Sequence, residues 1–397
     1  MGERRRMVQL WESGWTPTEL ARRFGVSRPT VYQVIERWVE EGWAGLEDRS
    51  RRPHWSPGQT SPLMTSALLN AKDCHPDYGP DKLVSVLRKE EGINLSASTA
   101  RDILRRNGRV EARRARPGRW SPSVTPKIHV PGPGHTMSAD HKGQFRTGDG
   151  RYCFPLTIAD PASRHVFAVE ALRSTGVQPA IKVFERVFRE WGLPEQIITD
   201  NGVPFCTARA LGGLTELSKM WIKLGIQHVR IEPGKPQQNG IHERMHRTLK
   251  DKTTKPPEAN LRAQQRRFDA FLHEFNTIRP HQALGQETPA SRVERYRRPY
   301  PDRVPMVEYP SSFDVRSVRS NGQIKWKGEM LFVSDVLRDE RVALLQVDEN
   351  RWQLYFGPVH LATLNDRLRK FEPPSPSSSE DLPGSPPAQR IGPSEHD

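Results

Sequence analysis

Cysteine is scarce in this chain: three among 397 residues, Cys74, Cys153 and Cys206, with no CxxC pair. That scarcity argues against a disulfide framework or a zinc site built from several cysteines, and it fits a reducing compartment. Long apolar runs are missing too. Only 35% of residues are hydrophobic and mean hydropathy is −0.72. No run approaches the ~18 apolar residues of a membrane span. The first residues, MGERRRMVQLWESG, are basic but lead into no apolar stretch of secretory type. The expectation is a cytoplasmic protein with no membrane partner. Acidic residues fall short of basic ones, 47 against 61, which leaves a formal charge of +14. Such an excess points to a polyanion, most often nucleic acid, although a soluble enzyme can be basic without one.

The length allows two or three domains, and the pattern changes several times along it. Residues 1–60 read as a helical DNA-binding unit. Thr16-Pro17-Thr18-Glu19 is a capping box with proline at the first helical position. A short helix, the Gly25-Val26 turn and a second helix capped by Ser27 then follow the helix-turn-helix pattern. The groove-facing residues of the second helix would be Arg28, Thr30, Tyr32 and Gln33. A helical hairpin for protein contacts would show the same periodicity. Residues 61–108 repeat the theme, with Ser98, Thr99 and Arg101 opening the second reader helix. Residues 109–134 read as a basic linker. From Arg109 to Lys127, six cations stand against Glu111 alone, a run suited to solvent or to phosphates.

Residues 135–297 alternate strand and helix, which predicts an α/β domain with a mixed sheet. Residues 298–369 carry short alternating strands and the turn signal Asn321-Gly322, which predicts a small SH3-like β-barrel. Residues 370–397 are rich in proline and serine and are expected to form a disordered tail. The fold class is therefore multidomain: N-terminal all-α units, a central α/β core, a small barrel and a tail.

Three acidic residues stand at telling places. Asp140 lies within the first core strand, where a charge is unfavourable unless solvated, paired or metal-bound. Asp200 ends the fourth strand, and sites in open α/β sheets gather at such carboxyl ends. Glu243 lies on the last core helix. On a helical wheel Ile241, Met245 and Leu249 form an apolar stripe, with Glu243, Arg247 and Lys250 roughly opposite. A solvated face with a Glu–Arg pair would give the same wheel. Asp160, beside Pro161, reads as a structural turn residue.

With these residues in view, the chain resembles bacterial insertion-sequence transposases with a retroviral-integrase-type, RNase H-like core. The resemblance rests on Asp140-His141-Lys142-Gly143, PLTIADPASR at 155–164, and Thr199-Asp200-Asn201-Gly202. It continues through Pro236-Gln237-Gln238-Asn239-Gly240, Glu243-Arg244 and the run from Asn276 to Gly285. It implies a D-D-E triad at Asp140, Asp200 and Glu243 that holds two Mg²⁺ ions, with Mn²⁺ able to stand in. It further implies cleavage and joining of double-stranded DNA at element ends and target, at least a dimer on DNA, and association with the nucleoid. Lys142, Lys235, Arg244, Arg247 and Lys250 are the candidate phosphate contacts, Arg247 and Lys250 foremost. The 42 residues between Asp200 and Glu243 are more than related groups commonly show, and a longer helix within 210–225 fits the excess. Glu232 would shorten the interval, but it stands at a strand end before Pro233.

Two other readings compete. His242-Glu243-Arg244-Met245-His246 spells H-E-x-x-H, the helix signature of zinc metalloproteases. The basic, polar setting and the lack of a third ligand at a suitable spacing count against it, and the histidines are expected to flank the charged face. The chain could also be a DNA-binding regulator with an inactive nuclease core, although all three carboxylates are present.

Overall fold

The computed structural model describes residues 2–49, 58–110, 128–208, 210–232 and 240–373. The chain divides into two compact units between Ser66 and Ala67. The first holds α1 (Gly2–Glu12), α2 (Pro17–Phe24) and α3 (Arg28–Glu41). The capping box forms as expected: the Thr16 hydroxyl accepts from the Glu19 amide, and the Glu19 carboxylate accepts from the Thr16 amide. Such a cap is worth about 1 kcal/mol. Gly25 turns the chain at φ +64 with open space around its Cα, so its requirement is conformational rather than steric. Val8, Leu20, Val31 and Leu46 are fully buried and seal the three helices together.

The division falls inside α4 (Pro62–Cys74), which is followed by α5 (Pro80–Glu90) and α6 (Ala97–Arg106). The Ser96 hydroxyl caps α6 by accepting from the Thr99 amide at 3.0 Å. This second helical pair packs against the α/β core within one compact unit. At the junction Asp77 pairs with Arg279 and with Lys252. The Tyr78 ring faces Lys82, Arg279 and Lys252, at 5.5, 5.1 and 5.7 Å. Cations over a buried aromatic face contribute in proportion to their desolvation.

The core sheet contains β1 (Thr136–His141), β2 (Phe145–Arg146), β3 (Tyr152–Ala159), β4 (Val166–Leu172), β5 (Gln196–Thr199) and β6 (Gln227–Arg230). Its order is β4-β3-β1-β5-β6, with β2 beside the start of β3. β4, β3 and β1 run antiparallel, whereas β1, β5 and β6 run parallel, so the sheet is mixed as the sequence implied. One face is covered by α7 (Val177–Trp191) and α8 (Glu216–Lys223), through Phe184, Phe188 and Trp221. A second apolar cluster gathers Ala159, Val166 and Val169 with α9 (Gly240–Thr253) and α10 (Leu261–His273), through Met245, Leu249, Phe268 and Phe271. After α10 a π turn, Glu274–Ile278, swings Asn276 inward. Its side-chain amide pairs with both backbone groups of Val166, at 3.0 and 2.8 Å.

The C-terminal part does not close into the expected barrel. The strands β7 (Asp314–Ser317), β10 (Arg341–Asp348), β11 (Arg351–Phe356), β12 (Val359–Asn365) and β13 (Lys370–Glu372) form one antiparallel sheet, in the order β13-β12-β11-β10-β7. β8 (Gln323–Trp326) and β9 (Glu329–Phe332) form a separate hairpin. Among the described residues β13 and β7 remain the two edges. Asn321-Gly322 does turn the chain, but the hairpin closes at Lys327-Gly328, where both residues have positive φ. Gly322 instead receives the Val333 amide on its carbonyl at 2.8 Å. The last strand takes in three residues of the segment expected as a tail, and 374–397 lie outside the described residues, as does the linker stretch 111–127.

Candidate active site

β1 and β5 are parallel neighbours with Ser138 opposite Ile198. Asp140 and Asp200 each lie two residues beyond that pair, so both carboxylates leave the sheet at the same end. Asp200 is held by a tight turn: its carboxylate accepts from the Gly202 amide at 3.0 Å, and Asn201 donates to the Ile231 carbonyl at 2.8 Å. Asp140 is half-buried, and Thr157, its partner on β3, donates from its hydroxyl to the Asp140 backbone carbonyl at 2.9 Å.

Glu243 reaches this end of the sheet on α9, and two histidines one turn apart fix that helix. His242 and His246 are 1% and 6% exposed, which corrects the expectation that they flank the charged face. The Nε2 of His242 lies 2.7 Å from the Ser138 hydroxyl, and the Nε2 of His246 lies 2.8 Å from the Thr157 hydroxyl. Ser138 and Thr157 give their own protons to the carbonyls of Ala159 and Asp140. The two hydroxyls therefore accept from the histidines, which assigns the protons to Nε2 and leaves both Nδ1 atoms as lone pairs. The Nδ1 of His246 faces an Asp140 carboxylate oxygen at 3.7 Å, too far for a hydrogen bond. Burial holds both imidazoles neutral, His242 down at about 4 and His246 at about 2, so this contact is not an ion pair.

The electrostatics converge on Asp140. Burial first, and then the neighbouring Asp200 and Glu243 carboxylates, push it up to about 7. His141 is held below its usual range, by burial above all. Asp140 together with the neighbouring Asp200 and Glu243 carboxylates forms a donor set suited to a hard divalent cation. Donor atoms of Asp140, His242 and His246 also lie within 4.8 Å of one another. In that second grouping both Nε2 atoms are already committed to Ser138 and Thr157, and the Nδ1 of His242 also lies 3.3 Å from the Thr157 hydroxyl.

The remaining sequence candidates divide. Lys142 lies near Asp140 and lessens its upward shift. Arg244, Arg247 and Lys250 are exposed on α9, and Glu243 is exposed beside them. Lys235 lies outside the described residues. Arg28, Thr30, Tyr32 and Gln33 are all exposed at the start of α3, where a reader helix presents its side chains. Ser98 and Arg101 are exposed on α6, and Thr99 is half-buried. Asp160 is fully buried and accepts from the amides of Gly134, Ala162 and Ser163, a turn-holding role.

Residues 224–289 match the model described as Integrase core domain. Residues 3–54 match a Helix-turn-helix domain, and residues 30–104 a Homeodomain-like domain. The integrase match contains Glu243, both helix-anchoring histidines and Asn276. The chain is 24% identical over 298 residues to the Insertion element IS476 uncharacterized 39.2 kDa protein of Xanthomonas euvesicatoria, covering 74% of this chain and 82% of that one. It is 30% identical over 179 residues to the Gag-Pol polyprotein of Avian reticuloendotheliosis virus, covering 45% of this chain and 15% of that one. Among solved structures, the HTLV-2 integrase catalytic core domain in complex with magnesium aligns with a TM-score of 0.34 and 18% identity, over 42% of this chain and 100% of that one. Among the described residues no helix is long and apolar enough to cross a membrane. The chain thus carries a helix-turn-helix match ahead of an integrase-core match, and most of its length is similar to an insertion-element protein.

Proposed function

We propose that the chain cuts DNA at the ends of a mobile element and joins those ends to target DNA, with Asp140, Asp200 and Glu243 as the catalytic carboxylates. The observation that carries this reading is that Asp140 and Asp200 leave the same end of the sheet, where Asp200 and, more weakly, Glu243 add to the burial that pushes Asp140 up to about 7. The same three residues would hold divalent cations, Mg²⁺ or Mn²⁺, two in number on this reading. Such ions supply a Lewis-acid contact to the scissile phosphate and offset charge that develops in an in-line displacement. The chain's own part is positional. The Asn201-Gly202 turn fixes the Asp200 carboxylate. The His242 and His246 anchors fix α9 and thereby Glu243. Lys142, Arg244, Arg247 and Lys250 offer charge to flanking phosphates, as Lys235 would.

In the same proposal the exposed start of α3 reads the element's terminal repeats, through Arg28, Thr30, Tyr32 and Gln33. The start of α6 adds Ser98, Thr99 and Arg101. Each good base contact of this kind discriminates by ~1–3 kcal/mol. Two element ends must be held together, so at least a dimer acts on DNA, within the nucleoid.

The test is nicking of supercoiled plasmid by the purified full chain with Mg²⁺ or Mn²⁺. Wild type is expected to nick, and Asp200→Asn to lose at least ~10³-fold, since it keeps the shape and removes a metal-binding charge. Zinc-dependent peptide hydrolysis that survives Asp200→Asn and is lost in His242→Ala would overturn this in favour of the H-E-x-x-H reading. Repeat binding without nicking under any metal would favour a regulator with an inactive core.

A further inference from the structure

Behind the active-site helix lies a cavity of about 260 Å³, bounded by α5, the turn between β3 and β4, α9 and the chain after α10. Four cations line it, Lys82, Arg164, Arg244 and Arg279, and no acidic side chain does among the described residues. Its apolar wall includes Met245 and Phe275. Arg279 is neutralised from behind by Asp77. Lys82, Arg164 and Arg244 make no ion pair among the described residues, and Arg164 and Arg244 repel each other. Arg164 also sits at φ +64, a strained backbone for an arginine. Like charge concentrated on one concave surface favours an anion in the space it encloses, even with Asp160 acting on Arg164 from outside the lining. Burial, and then Arg279, lower Lys82 to about 8, while Asp77 and Glu274, outside the cavity lining, act the other way.

The size and lining narrow the ligand. Pockets for drug-sized molecules span ~300–1,000 Å³, so this one suits a single small group. Met245 and Phe275 belong to the core cluster, and the small apolar surface they leave to the cavity suits a base better than a bare phosphate. Arg244 follows Glu243 directly on α9, so a strand that passes the carboxylates comes to the cavity mouth. We propose that the cavity takes one unpaired nucleotide of the DNA strand, its phosphate on Lys82, Arg164 and Arg244 and its base against Phe275 and Met245. This rests on the nuclease reading above and adds to it that the substrate is held with a nucleotide out of the duplex. Because Lys82 belongs to α5, the bound nucleotide would bridge the second helical pair and the catalytic core.

The experiment is fluorescence anisotropy of the full chain with labelled single-stranded hexathymidylate, without metal, with thymidine 5′-monophosphate, thymidine and inorganic phosphate as competitors. Lys82→Gln, Arg164→Gln and the cavity-filling Ala283→Trp are compared with wild type, each checked by thermal melting. Each variant is expected to weaken the single strand roughly ten-fold. Thymidine monophosphate should displace the oligomer, and thymidine or inorganic phosphate at equal concentration should not. Unchanged affinity in all three folded variants would overturn the proposal, as would displacement by inorganic phosphate as effective as by the nucleotide. Plasmid nicking is read in parallel on wild type. A wild type that nicks while its cavity variants bind single strands normally defeats the cavity proposal alone. Cavity-dependent binding with no nicking defeats the nuclease reading instead.

Discussion

At the scale of single residues, Asp140 and His165 show how burial shapes behaviour in opposite ways. Asp140 keeps a carboxylate where burial and two neighbouring acids oppose it. Removing that charge should stabilise the metal-free protein. Asp140→Asn is therefore expected to melt above wild type at pH 8, and Mg²⁺ to raise the melting temperature of wild type but not of the variant. A variant that melts lower without metal would remove the electrostatic argument. His165 lies far from that site in role. It is 7% exposed between Phe167 and Trp191, its Nδ1 has no hydrogen-bond partner, and burial lowers it to about 4. A base lowered on folding binds its proton more tightly when unfolded, so stability is lost as pH falls from about 6.5 towards 4. The full shift corresponds to about 3 kcal/mol. His165→Phe should reduce the acid-induced loss of stability by roughly 2 kcal/mol at pH 4.5, measured by urea unfolding across that range.

At the scale of elements, α7 ends at a point where only glycine fits. A Cβ on Gly192 would lie 2.7 Å from the Tyr296 carbonyl oxygen and 2.8 Å from that of Arg298, at φ +90. Gly192→Ala is expected to destabilise by about 2 kcal/mol or more, whereas Gly25→Ala, with open space around it, should lose about 1. Comparable midpoints for the two in chemical denaturation would contradict that ranking. The amphipathic period of 177–191 stops at Gly192, which marks a helix end in the sequence, but nothing there shows the backbone that crosses it. The same limit runs through α9. Its wheel gave Met245 and Leu249 as buried and Glu243, Arg247 and Lys250 as exposed, and the structure agrees. His242 and His246 were expected to flank the charged face because they are polar. Their burial depends on Ser138 and Thr157, inward-facing polar residues whose meeting with α9 appears only once β1 and β3 are paired. The strand-end aspartates were legible because a charge in an apolar strand is conspicuous. The cavity was not, since Lys82, Arg164, Arg244 and Phe275 come from four separate stretches. The barrel failed as a reading because short alternating strands specify a half-buried sheet without specifying closure.

At the scale of the whole molecule, charge and packing set different expectations. With a formal charge of +14 and helix-turn-helix matches, DNA binding should be strongly salt-dependent. Six or more phosphate contacts would weaken affinity by ~10³-fold between 50 and 200 mM salt, and a slope near zero in a filter-binding series would contradict this. The C-terminal sheet, by contrast, is attached without reference to charge steering. Leu214 and Ile222, from the α/β core, lie in the same apolar cluster as Trp326, Leu344, Phe356 and Leu361. Lys219 donates to the Val336 carbonyl and Lys223 pairs with Glu340, both at 2.7 Å. A gene copy interrupted before codon 310 would thus encode a core with an uncovered greasy flank. On the proposed function, such a product should aggregate or be degraded rather than linger as a repeat-occupying competitor, so decayed copies of the gene would leave the intact one unopposed.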